Sequence, residues 1–266
     1  MKRYPALDVR TDAADLLLAI VDDFSPTALE ERDELVRVFF GTAGDRDAAA
    51  RTLAPRFDVT PVDVPDEDWA RRSQESLQPI TVGRITVAPP WAVGTQPSAL
   101  LVVIAPSMGF GTGHHVTTRL CLMALQTLDL TNRTVLDVGT GSGVLAIAAV
   151  RLGAARAIGI DCDEDAIQSA RENLDLNPQA RRVTFDIADL AARTLPLADV
   201  VTANLTGTLI VRSAPALLAA VRPGGTLILS GIQSHERDQV RGAFAEAEVC
   251  WEQDGDGWVG LAVKKS

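Results

Sequence analysis

Val135-Leu136-Asp137-Val138-Gly139-Thr140-Gly141-Ser142-Gly143 decides the reading of the fold: an apolar strand runs into three alternating glycines and then into a helix beginning near Val144. Glycines at such a bend permit positive φ and let the main chain approach a ligand, and the first N–H groups of the following helix face it. This is the turn of a nucleoside cofactor site. A dinucleotide-binding Rossmann turn follows G-x-G-x-x-G. Here the third glycine comes one residue early, at Gly143, and Val144 holds the later position, a spacing that favours S-adenosylmethionine over NAD. A second strand, Ala157-Ile158-Gly159-Ile160, ends on Asp161, where a carboxylate can accept both ribose hydroxyls. A third, Val200 to Ala203, ends on Asn204. Polar groups at three strand ends predict one crevice at the carboxyl edge of a parallel sheet.

Outward from this core, strands and helices alternate. Helices are expected at Thr117 to Leu128, Val144 to Leu152, Glu164 to Leu176, Thr208 to Val221 and Glu236 to Ala247. Strands are expected at Ile80 to Val87, Leu100 to Ile104 and Val183 to Ile187, and two more, Val249 to Gln253 and Trp258 to Val263, end the chain. The fold class is therefore α/β, a doubly wound and mostly parallel sheet whose last hairpin adds an antiparallel edge strand. Tyr4 to Val62 reads as strand, helix, strand, strand, helix, strand, a small α+β unit of ferredoxin type, with Ala48 to Leu53 as its short second helix. Val64 to Glu75 is charged and nearly lacks aliphatics, so it reads as a linker that Trp69 anchors by packing. The expected organisation is a small domain over 1–64, a linker over 65–78 and the cofactor domain over 79–266.

A length of 266 residues suits two unequal domains, and 47% hydrophobic with 23% charged residues is the composition of a globular protein. The apolar run Val144 to Val150 is far short of the roughly 20 residues a membrane-spanning helix needs. Asp8, Arg10, Asp12 and Asp15 interrupt any signal-peptide core, so the cytoplasm is the expected compartment. A net charge of −10, with 25 basic against 35 acidic residues, opposes nonspecific phosphate binding and makes a nucleic-acid partner unexpected. Cys121, Cys162 and Cys250 lack C-x-x-C spacing and read as buried free thiols rather than metal ligands.

Several side chains carry candidate chemistry. Asp189, after the strand ending at Ile187, stands where a carboxylate reaches an adenine amino group, or else caps a following turn. Pro106 to Thr118 is a glycine-dense loop before a helix; Thr117 or Thr118 can cap that helix, and a Thr118 hydroxyl would also face the crevice. His114 and His115 are adjacent on a loop with no acidic or cysteine cluster nearby, so no metal is expected. His235 reads as a solvated residue near a helix start.

Phe110-Gly111-Thr112-Gly113-His114-His115 with Thr117-Thr118-Arg119-Leu120, the glycine turn, Asp161, Ala203-Asn204-Leu205, and Pro223-Gly224-Gly225 with Ser230-Gly231-Ile232 together resemble the ribosomal protein L-eleven methyltransferase family (PrmA type). The resemblance runs from Trp69 to the C-terminus, and covers the first 64 residues by layout only. It implies a class I S-adenosylmethionine-dependent methyltransferase domain, a small N-terminal domain that recognises the ribosomal protein, and a mobile linker between them. It places cofactor contacts on Thr118, Gly139, Asp161 and Asn204, to which the turn adds Gly141 and Gly143, and the strand pattern Asp189. The chain departs from the family pattern at Ala105, where an acidic residue is usual, at Ser107, where a glycine is usual, and at Ser76, Leu77 and Gln78, which replace aromatic and basic residues.

The chemistry so implied is methyl transfer to a protein amine, on a lysine or the N-terminus, with the ribosomal protein met free of the ribosome by a monomeric enzyme. Asn204 would accept an amine N–H and aim its lone pair, with His115 guiding the amine and Phe110 walling the pocket. The alternatives are a methyltransferase of another protein or of a small molecule, a noncatalytic cofactor-binding homologue, and a nicotinamide oxidoreductase, which the glycine spacing disfavours. Asn204-Leu205-Thr206-Gly207 lacks the N-P-P-[YF] pattern of nucleobase amino methylation.

Overall fold

Leu7 and Val9 on one strand, and Val36, Val38 and Phe40 on another, fall on one face of a small sheet, and Leu17, Val21, Ala49 and Leu53 complete that core, while Ala6, Phe39 and Val64 form a smaller cluster on the other face. The structure, a computed structural model, describes residues 3–11, 17, 20–21, 24, 26–32, 35–65, 78–94, 100–106, 115–190 and 195–266. The chain divides into two units, Met1–Ser76 and Leu77–Ser266.

In the first unit, β1 (Arg3–Arg10), β2 (Pro26–Arg32), β3 (Leu35–Phe40) and β4 (Asp58–Pro65) form one sheet of order β2-β3-β1-β4, antiparallel at every step. Leu17, Ile20 and Val21 are helical, and α1 (Ala43–Leu53) precedes β4, so the layout is that of the ferredoxin-type unit. Asp8 and Arg37 face each other across β1 and β3, and Arg37 donates to both carboxylate oxygens, at 2.5 and 2.6 Å. Two expectations are corrected. α1 starts five residues before Ala48, because the Thr42 hydroxyl accepts from the Asp45 N–H (3.2 Å) and caps the helix there. Val64 belongs to β4, buried and paired with Tyr4, rather than to a linker. Residues 66–77, with Trp69, lie outside the described residues.

The second unit opens with β5 (Ile80–Val82), β6 (Ile85–Ala88) and β7 (Leu100–Val103), a separate sheet in which β5 and β6 are a hairpin and β7 runs parallel to β6. Gln126, at the end of α2 (Val116–Gln126), fastens the hairpin: its carboxamide accepts from the Arg84 N–H (2.7 Å) and donates to the Val82 carbonyl (2.9 Å). There follow β8 (Thr134–Val138), α3 (Val144–Arg151), β9 (Arg156–Asp161), α4 (Glu164–Asp175), β10 (Val183–Ile187), β11 (Ala198–Asn204), α5 (Gly207–Ala220), β12 (Val221–Gln233), α6 (Arg237–Ala243), β13 (Glu248–Gly255) and β14 (Trp258–Lys264). The last helix is shorter than Glu236 to Ala247, because the chain leaves helical geometry at Phe244 (φ −120, ψ 26) and buries that ring.

The seven strands lie in the order β10-β9-β8-β11-β12-β14-β13. The first five are parallel; β14 is antiparallel to β12, and β13 takes the edge antiparallel to β14. Strand order reverses between β8 and β11, which sets a crevice at their carboxyl ends. Both faces are covered, so alternate residues of one strand serve different cores. Val135, Val200 and Ile228 pack with Leu122, Leu125 and Ile147 on one side, whereas Leu136, Val201 and Leu229 pack with Ile210, Leu217 and Val240 on the other. Among the described residues no helix is long and apolar enough to cross a membrane. Cys121 is buried, but Cys162 and Cys250 are exposed, against the expectation of three buried thiols: one follows a strand tip and the other lies on the edge strand β13.

The chain crosses from β11 to α5 through a narrow passage. The Leu205 N–H donates to the Ser230 carbonyl (3.0 Å), its side chain lies against Gly139, and its own carbonyl lies against Gly231, which has φ +82. A Cβ at Gly231 would run into that carbonyl in a backbone conformation that L residues avoid. Gly231→Ala is expected to lower the unfolding free energy by at least about 2 kcal/mol, read as a reduced midpoint in urea at unchanged slope.

Candidate functional site

The glycine turn is built by main-chain bonds to the next strand. Gly139 and Thr140 both donate to the Ile160 carbonyl at 2.9 Å, and the Gly143 N–H folds back to the Thr140 carbonyl at 2.9 Å. Gly139, Gly141 and Gly143 have φ of +69, +52 and +80, so the alternation of glycines follows from the backbone the turn requires. Gly143 is the N-cap of α3 and supplies no side-chain cap. The first turn of α3 is instead capped from the preceding strand, the Ala146 N–H donating to the buried Asp137 carboxyl group.

Asp161 stands at the tip of β9, half-buried. One carboxylate oxygen accepts from the Gly141 N–H (3.0 Å) and the other from the Asp163 N–H (3.2 Å). Each oxygen keeps a lone pair for a further donor, as a diol would supply. The Ala188 N–H donates to the Asp161 carbonyl (2.8 Å), which draws the segment after β10 to the same tip and leaves Asp189 exposed beside it. On the other side of the switch, Asn204 ends β11, and its Nδ2 donates to the Thr118 hydroxyl at 3.4 Å. Asn204 does not cap α5, whose N-cap is Thr206.

Thr118 is buried within the first turn of α2 and is not its cap, nor is Thr117. His115 is the cap: Nδ1 accepts from the Thr117 N–H (3.4 Å) and lies 2.8 Å from its hydroxyl. The imidazole also meets Trp258 edge-on, with centroids 5.1 Å apart. Burial, and after it the charge of Arg119, holds the His115 pKa below its ordinary 6.5. An Nδ1 that accepts leaves the ring proton on Nε2. Phe110 and His114 lie outside the described residues; His235 is exposed, as expected.

Two features of the site were not singled out from the sequence. Asp137, fully buried before the turn, receives the Thr140 hydroxyl (2.7 Å) and, from β11, the Thr202 hydroxyl (2.6 Å). Burial pushes its carboxyl group upward, while those hydroxyls and the Ala146 N–H pull it down. Its signal was an acidic residue inside an otherwise apolar strand. The other is the buried Asn173 on α4, which donates to the Ser142 carbonyl within the turn (3.0 Å). Its signal was a polar residue on the stripe of Ile167 and Ala170.

A family model described as "Ribosomal protein L11 methyltransferase (PrmA)" matches residues 27–266. The chain belongs to the PrmA family. It is 37% identical over 255 residues to the ribosomal protein L11 methyltransferase of Pseudomonas aeruginosa, a match spanning 91% of this chain and 84% of the relative. To the Azotobacter vinelandii enzyme of the same description it is 42% identical over 200 residues, 74% and 68% of the two chains. The crystal structure of the ribosomal protein L11 methylase of Lactobacillus delbrueckii subsp. bulgaricus superposes with a TM-score of 0.65 at 27% identity, covering 71% of this chain and 99% of that one. This PrmA-family chain is accordingly an S-adenosylmethionine-dependent methyltransferase with the class I fold.

The site fits that cofactor on its own chemistry. A carboxylate at a strand tip, with a lone pair left on each oxygen, suits a ribose diol, and Gly141, at positive φ beside it, brings main chain to the same tip.

The His115 cap gives a pH dependence with a definite sign. Folding favours the neutral ring, so the unfolded chain binds more protons between the lowered value and 6.5; the cap's contribution is complete above 6.5 and is lost as pH falls through that window. In His115→Asn the cap no longer titrates. Between roughly pH 7.5 and 5.5, the melting temperature of the variant is expected to rise relative to that of the native chain. A difference that stays constant across thermal melts at these pH values would remove the cap from His115.

Proposed function

We infer that this enzyme transfers methyl groups to amino groups, on lysine side chains or the N-terminus, of the large-subunit ribosomal protein L11. Its relatives' names and the match over residues 27–266 support the acceptor. The observation that carries the reading is Asn204 held to Thr118 at the switch between β8 and β11, one strand from the glycine turn. In this reading Thr118, Gly139, Gly141, Gly143, Asp161, Asp189 and Asn204 hold S-adenosylmethionine. The bound cofactor supplies an electrophilic methyl group on a sulfonium centre.

The residues do the rest by placement. With Nδ2 donating to Thr118, the Asn204 Oδ1 is the acceptor that would take one N–H of a neutral amine and so direct the amine's lone pair. His115 presents Nε2–H, a donor, so it does not remove the proton; it acts by holding the start of α2 and hence Thr118. The acceptor's proton leaves to water. A lysine of pKa near 10.4 costs about 4 kcal/mol to neutralise at pH 7.4, and an N-terminal amine under about 1 kcal/mol. Desolvation of the lysine offsets part of that cost.

The N-terminal unit, Met1–Ser76, serves recognition of the acceptor. The net charge of −10 favours a basic protein met free of ribosomal RNA. In this reading the enzyme works as a monomer in the cytoplasm, where ribosomal proteins are made.

Asn204→Ala tests the assignment. Turnover on L11 is expected to fall by about a hundredfold. Calorimetric affinity for S-adenosylhomocysteine should fall far less than turnover, since Asn204 is one of several cofactor contacts and Asp161 and the glycine turn remain. Methylation at the native rate would show that Asn204 does not direct the amine.

A further inference from the structure

Asn173 sits where an asparagine is costly, buried in the last turn of a helix on its apolar stripe. Both ends of its carboxamide are used. Oδ1 accepts from the Ala105 N–H at 2.9 Å, just past the end of β7, and Nδ2 donates to the Ser142 carbonyl at 3.0 Å. The peptide linking Ser142 to Gly143 is thereby held from both sides, because the Gly143 N–H donates to the Thr140 carbonyl at 2.9 Å. The Gly141 N–H, which donates to Asp161, belongs to the peptide two planes earlier in the same turn. Asn177, four residues on, does for the β7 edge what a neighbouring strand would: it accepts from the Val103 N–H (2.9 Å) and donates to the Val103 carbonyl (2.7 Å). Asn177 bonds to Val103 and to the Asn173 carbonyl rather than to the turn, which makes it a natural control.

We propose that Asn173 is a positioning residue for the cofactor: by holding the Ser142 carbonyl it fixes the peptide plane of the glycine turn and keeps the Gly141 N–H and the Asp161 carboxylate in register, and it ties that turn to the root of the segment that leads from β7 into α2. This rests on the cofactor lying at the turn. Loss of the Asn173 donor frees the Ser142 peptide to rotate, and binding must then re-order it.

The test compares Asn173→Asp with Asn177→Asp in the full-length chain, by calorimetry with S-adenosylhomocysteine and by thermal melts. Asn173→Asp keeps the shape and the acceptor for Ala105 but, when ionised, loses the donor to Ser142. At about pH 8 its affinity is expected to fall at least tenfold, the effect of one lost bond to a fixed main-chain group. Relative to the native chain at each pH, the deficit is expected to shrink as the buried carboxyl takes up its proton and the acid O–H donates to Ser142 again. Asn177→Asp, with a comparable loss of melting temperature, is expected to bind within about threefold of native. Should Asn173→Asp not fold, Asn173→Ala, which buries no charge, carries the same comparison. Affinity within threefold of native in the Asn173 variant, or an equal loss in the Asn177 variant at matched stability, overturns the proposal. Failure of the native chain to bind would overturn the placement of the cofactor as well.

Discussion

The buried carboxyl group of Asp137 is the constraint on which the rest of this site depends. It lies at the end of β8 where strand order reverses, and it takes one hydroxyl from Thr140 in the glycine turn and another from Thr202 in β11. A polar group without partners in such a place costs several kcal/mol, so the arrangement persists only because all sides of it are satisfied. The same two bonds set the turn that would cradle a nucleoside and, two residues before Asn204, the strand that would direct an acceptor. Cofactor and acceptor geometry thus share one buried anchor.

Around that anchor the chain is held by close main-chain approaches and by carboxamides. Leu205 threads between Gly139 and Gly231, which ties the first residues after β11 to both the turn and β12. Gln126, Asn173 and Asn177 satisfy the polar edges of the small β5-β6-β7 sheet, so that this sheet, the glycine turn and α2 form one continuous hydrogen-bonded body. His115 and Trp258 add an aromatic contact between the start of α2 and the antiparallel strand β14, at the same edge of the main sheet. Thr118 and Asn204 meet within this frame.

What could be read from the sequence is what depends on near neighbours. The glycine turn, Asp161 and Asn204 stand at strand tips, where apolar runs stop and the local pattern names the residue. The parts that escaped depend on distant partners. Asn173 and Asn177 bond to groups 31 and 74 residues away, so helix periodicity marks them as misplaced but cannot say what they hold. The cap of α2 was assigned to a threonine because hydroxyl residues dominate that position, whereas the accepting nitrogen of His115 does the same work. The exposure of Cys250 follows from β14 inserting between β12 and β13, a strand order that no local signal announces. The small domain was legible in its order of elements, and its helix start was misplaced because Thr42 caps through the Asp45 N–H well before the apolar residues begin.

The central claim is that a methyl group is delivered to a protein nitrogen at the β8–β11 crevice. Incubation of the full-length enzyme with purified L11 and S-adenosylmethionine carrying a labelled methyl group, followed by peptide mapping by mass spectrometry, tests it most directly. The account expects the label on lysine side-chain or N-terminal amines of L11. Unlabelled L11 from an enzyme shown to bind S-adenosylhomocysteine, or label confined to oxygen or carbon, would contradict it.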